Sequence, residues 1–123
     1  MTTSFGAVLG VVLFCFRQEQ RKTQIEVATA LDVGQAQYAK MEHGRVNINM
    51  FKLEKLRQTF ELDSVGTIFK EVERLREKCA DLNIKVELRN TPLRQSDDLY
   101  GRKLMTLLAF GNLLREKTHE KDS

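Results

Sequence analysis

The sequence predicts a mainly α-helical chain: five helices, then a C-terminal extension with a short strand at 84–89 and a long helix at 96–117. Three observations carry this. Apolar residues recur at three- and four-residue spacing over most of the chain. Asp32-Val33-Gly34, Gly44 and Asn49 interrupt that spacing where short helices would stop or start. One Pro and seven Gly in 123 residues argue against a linker-rich chain.

The first helix, about 4–20, contains "FGAVLGVVLFCF" at 5–16. Twelve apolar residues fall short of the roughly 20 that a membrane-spanning helix needs. The run also lacks a basic leader and a small-residue cleavage site, so a buried helix is expected. The second helix opens on Thr23-Gln24-Ile25-Glu26, the pattern of a capping box, and would bury Val27, Ala28 and Leu31. Asp32 tolerates a left-handed backbone and Gly34 can cap the next helix. That third helix, about 35–43, buries Tyr38 and Met41 and stops at Gly44. A fourth, capped by Asn49, repeats Leu53, Leu56 and Phe60 on one face.

The fifth helix runs from Ser64 to about Leu82, with Val65, Ile68, Val72, Leu75, Cys79 and Leu82 spaced as the a and d positions of heptads. This seam serves either a second copy, with Glu71 and Arg76 pairing across chains, or the chain's own core. Ile84, Val86 and Leu88 alternate with charged residues, a half-buried strand pattern. A lone strand needs a partner. A symmetric copy is one candidate, and an extended arm the other reading. The last helix presents Leu99, Tyr100, Leu104, Leu107, Leu108, Gly111 and Leu114 on one face.

The formal net charge is +3, and residues 17–57 hold all of the excess, with eight Lys/Arg against five Asp/Glu. That is a weak footprint of a nucleic-acid face. Cys15 and Cys79 form no CxxC pair, and two histidines supply no zinc spacing, so a reducing, cytoplasmic setting with no metal or cofactor is expected. No nucleophile–base pair, carboxylate pair or phosphate loop points to an enzyme.

Residues 23–44 closely resemble the Xre family, the Cro and phage-repressor type of helix-turn-helix. Thr23 and Gln24 match that family's opening pair, and Val27-Ala28 its Leu-Ala. Leu31 and Val33 match the turn hydrophobes, Tyr38 and Met41 the buried positions of the recognition helix, Glu42 and Gly44 its close, and Arg45 and Asn47 the basic-x-Asn that follows. Arg17 falls where the family carries an Arg that pairs with that Glu. Spacing holds without a gap from Arg17 to Leu56. Asp32 stands for the usual turn Gly, Gly34 for a capping Ser/Thr, and Ile48 for a frequent Pro. The first helix is more apolar than the family's, at Val11, Phe14 and Cys15. That surplus face would pack on the C-terminal helix or a second subunit.

The resemblance covers about residues 5–70 and implies a DNA-binding domain at 1–70. Residues 71–123 are left for dimerisation or partner binding. By carry-over, Gln35, Ala36 and Lys40 are the base-contacting residues. Geometry adds Gln37, since a carboxamide suits the adenine edge. Gln24, with Thr23 and Gly34 at the helix starts, and Arg45 and Asn47 past the recognition helix would hold phosphate. His43 is either a further phosphate contact or an ordinary exposed residue. Arg17 and Glu42 form a structural pair. Dimerisation is assigned to Val65, Ile68, Val72, Leu75, Ile84, Val86, Leu88, Leu104, Leu107 and Leu108. The expected function is a dimeric, sequence-specific transcriptional repressor that binds double-stranded DNA. The antitoxin of a toxin–antitoxin pair, whose C-terminal region binds a protein partner, and a protein–protein module without DNA binding are the alternatives.

Overall fold

A computed structural model describes residues 1–93 and 98–110. The first helix, α1 (Phe5–Glu19), is the hub. Ser4 caps it, its hydroxyl accepting from the Ala7 amide at 3.1 Å. Residues 6–13 are buried without interruption, as an all-round apolar helix requires. Around it lie α2 (Gln24–Ala30), α3 (Gln35–Glu42), α4 (Met50–Thr59), α5 (Val65–Asp81) and a last helix, α6, at 101–110. α1 packs on both α3 and α5. Two glycines permit close approach: a Cβ on Gly10 would lie 2.3 Å from the Glu42 carbonyl oxygen, and one on Gly6 would overlap Asn90. No helix among the described residues is long and apolar enough to cross a membrane.

The five helices from α1 to α5 end in the same way. The residue after each C-cap has positive φ: Arg21, Asp32, Gly44, Glu61 and Asn83. Its amide and the next one turn back onto carbonyls of the last turn, as in Gly44 to Met41 and Arg45 to Lys40. This Schellman closure satisfies carbonyls that a helix end leaves free. The α2–α3 turn is therefore a helix stop with Asp32 in the left-handed position, φ 58°.

The seam of α5 packs on the chain's own α1 and α4. Ile68, Val72 and Cys79 are fully buried, and Leu75 nearly so. Ile84, Leu104 and Leu108 join the same core. Each such side chain stabilises the fold by roughly 1.5–3 kcal/mol through removal from water. This corrects the assignment of Ile68, Val72, Leu75, Ile84, Leu104 and Leu108 to a dimer contact, since one chain already covers them. Val65, Val86 and Leu107 are half-buried against that core. Glu71 pairs with Arg74, and Arg76 with Glu73, both at 2.8 Å within α5. On the surplus apolar face of α1, Val11 is buried, whereas Phe14 and Cys15 are half-buried; Val11 and Phe14 line a small cavity with residues of α6, and Cys15 a groove with Arg74 and Leu75 of α5.

The strand also finds its partner inside the chain, not in a symmetric copy. β1 (Thr2–Ser4) lies between β2 (Lys85–Glu87) and β3 (Asp98–Leu99), parallel to both. Thr3 stands opposite Val86 on one side and Leu99 on the other. β2 stops where β1 stops, so Leu88 falls outside the ladder and is 92% exposed, against the expected alternation. Its neighbour Arg89 turns inward to Asp98, whose buried carboxylate accepts from Arg89 Nη1 at 2.6 Å, Thr2 Oγ1 at 2.6 Å and the Leu93 amide at 2.9 Å. Because residues 98–99 are extended, the last helix begins at 101 instead of 96. The rest of its expected range, with Gly111 and Leu114, lies outside the described residues.

Candidate nucleic-acid interface

Tyr38, Met41 and Glu42 hold α3 to the core; all three are buried. Gln35, Ala36, Gln37 and Lys40 are left exposed on the other side. No Asp or Glu occurs between Gly34 and Met41, so nothing on this face would repel phosphate. Lys40 and Arg45 make no ion pair with a described residue. Arg45 and Asn47 are exposed directly after the Gly44 stop.

The expected pair between Arg17 and Glu42 is present and buried. Arg17 Nε donates to Glu42 Oε2 at 2.6 Å, and Nη2 to Oε1 at 3.1 Å. Arg17 Nη1 donates to the Lys22 carbonyl at 2.9 Å. The bond to Glu42 raises the arginine's pKa above its ordinary value. Glu42 Oε1 also accepts from Gln24 Nε2 at 3.2 Å, and Gln24 Oε1 from Gln35 Nε2 at 3.4 Å. A chain of polar contacts thus runs from the core to the first residue of α3. It leaves the Gln35 carbonyl and one N–H to face outward. Sequence reasoning placed Gln24 on phosphate alone and missed this bridging role. The Tyr38 hydroxyl is buried beside Glu42 and Arg17 without a hydrogen bond to a described residue. Burial, then the Glu42 charge, raises its pKa well above the usual range.

Thr23 and Glu26 form the capping box in full: the Glu26 amide donates to Thr23 Oγ1 at 3.1 Å, and the Thr23 amide to Glu26 Oε1 at 3.3 Å. Asn49 caps α4, accepting from the Lys52 amide at 2.8 Å. Gly34 caps α3 with no side chain, in an extended backbone of φ −74° and ψ 157°. A Cβ there meets nothing within 4 Å. Gly34→Ser is therefore expected to stabilise the fold by about 0.5–1 kcal/mol, through a new capping bond and a less flexible unfolded chain. Urea unfolding checks it, and a lower midpoint would count against this geometry.

His43 is half-buried. Its ring lies against the start of α6: a Cβ on Gly101 would come 2.5 Å from His43 Nδ1. The two residues share a small cavity of about 80 Å³ with Arg17, Glu42 and Arg102. The C-terminal end of α3 therefore lies against the start of α6.

A family model described as helix-turn-helix matches residues 16–65, less than half of the chain. A search of curated proteins and one of solved structures each returned no match. The match begins within α1, spans α2, α3 and α4, and ends at the first residue of α5. Residues 16–65 are thus a helix-turn-helix domain, the architecture of DNA-binding regulators, with α3 as its second helix.

Proposed function

We propose that the protein is a sequence-specific transcriptional regulator of the Xre type, acting as a dimeric repressor that reads a two-fold operator through α3. The outward face of α3 carries this reading. It is exposed, free of acid, and built from two carboxamides, a methyl and a lysine on a helix anchored by a buried ion pair. Gln35 and Gln37 suit the adenine edge, Ala36 admits a thymine methyl, and Lys40 reaches guanine or phosphate. Gln24, Arg45 and Asn47 position the duplex, and the α3 side chains specify it. One module reads few base pairs, so a second copy reads a half-site one DNA turn away.

Selection from a randomised duplex pool, followed by binding over a salt series, tests this. The recovered site is expected to be a palindrome with half-site centres about 34–36 Å apart. Gln35→Ala with Lys40→Ala should cost roughly 2–4 kcal/mol on that site and little on random duplex. Equal binding by the double variant would remove these residues from the reading surface.

A further inference from the structure

The helix-turn-helix match ends at residue 65, yet one side chain from beyond it reaches the edge of the α2–α3 surface. An open groove of about 570 Å³ is lined by Arg17, Arg21, Lys22, Gln24, Gln35 and Arg102, among others. These come from three places: the end of α1, the α2–α3 pair, and the second residue of α6. Arg17 is used up by Glu42. Arg21 and Arg102 are exposed and Lys22 half-exposed. None of these three has an ion pair with a described residue, and no carboxylate lines the groove. The position of Arg102 is fixed by packing. Gly101, at φ +57°, lets α6 start against His43. Leu104 and Leu108 then hold α6 in the core.

We propose that Arg102 is a DNA-backbone contact: with Arg21 and Lys22 it grips a phosphate of the duplex that α3 reads. The inference rests on the DNA-binding reading of α3 and extends it to the C-terminal part of the chain. Gln24 and Gln35 belong both to this groove and to the polar chain that orients α3. A strand bordering the bases near Gln35 therefore passes over the groove. Three cations with no ion pair to a described residue, two in the α1–α2 turn and one on α6, match a phosphate run, which requires charge without base geometry. The guanidinium of Arg102 adds a planar fork that suits two phosphate oxygens.

The test compares the full-length protein with Arg102→Gln, Arg102→Lys and Lys103→Gln. Lys103 is the next residue, also exposed and outside the groove. The probes are a selected duplex, a random duplex of equal length, and the single strand of each. Arg102→Gln should weaken both duplexes to a similar degree, roughly tenfold. It should also lower the slope of log K against log salt by about 0.9, one phosphate's worth. Arg102→Lys should restore most of the slope, and Lys103→Gln should change it less. A wild-type slope in Arg102→Gln would overturn the proposal. So would equal effects of Arg102→Gln and Lys103→Gln, which show long-range charge only, or equal binding of single strands. The α3 reading fails separately, if Gln35→Ala with Lys40→Ala keeps its sequence preference. Absence of any duplex binding by the wild type would overturn both.

Discussion

Arg17→Met is expected to destabilise the protein by about 3–5 kcal/mol, because it strands a buried carboxylate. Glu42 is 5% exposed and its two oxygens are held chiefly by Arg17. With the guanidinium gone, Gln24 and the neighbouring Tyr38 hydroxyl are the charge-neutral donors left to it among the described residues. Most of the cost reflects the uncompensated charge and not the worth of the pair. Arg17→Met with Glu42→Leu should therefore recover much of the loss. It should not recover DNA binding, since Gln24 then has no carboxylate to hold it and Gln35 loses its support. Urea unfolding and duplex binding on the three proteins separate the two effects. Equal stability of the single and double variants would show that the buried charge is not the source.

Gly10→Ala is expected to cost at least about 3 kcal/mol, against a gain for the same change elsewhere. Its Cβ would sit 2.3 Å from the Glu42 carbonyl oxygen and 2.8 Å from that of Met41. Both obstacles are backbone, so relief requires parting α1 from α3. Gly66, in the first turn of α5, is exposed, and a Cβ there meets only the Ser64 hydroxyl at 3.2 Å. Gly66→Ala should stabilise by about 0.5 kcal/mol, the ordinary return for replacing a helical glycine. Thermal unfolding of the two variants should shift in opposite directions. A neutral Gly10→Ala would mean that the α1–α3 crossing is looser than this geometry.

What the sequence made legible was local or carried by resemblance. Thr23-x-x-Glu26, Asn49 and Gly44 announce their helix ends because the chemistry lies within a few residues. The apolar run 5–16 is too short for a membrane and too apolar for a surface, so only burial suits it. The Arg17–Glu42 pair and the exposed face of α3 follow from the helix-turn-helix pattern. Four features were not legible. Arg21 and Glu61 close their helices in left-handed backbone, though neither residue type favours it. Thr2–Ser4 shows no alternation, and its partners lie 83 and 96 positions away in the register. A heptad-like seam states that a helix has one apolar face, but not whose surface meets it. Here α1 and α4 cover the buried seam positions Ile68, Val72, Leu75 and Cys79. Arg102 lies on a helix with no family pattern; the docking of Gly101 on His43 and of Leu104 and Leu108 in the core places it.

The central position of β1 also sets the order in which the chain can fold. In synthesis, Thr2–Ser4 and α1 precede their partners: the hydroxyl of Thr2 bonds to Asp98, 96 residues later. Until α5 and residues 85–99 have been synthesised, α1 has neither its sheet nor much of its apolar cover. Such distant pairings form late, since closing long loops costs entropy before any contact repays it. A nascent chain halted after the helix-turn-helix would carry an exposed greasy helix, a natural substrate for chaperones or proteases. Residues beyond the helix-turn-helix match thus complete the cover of α1, the helix on which that match begins.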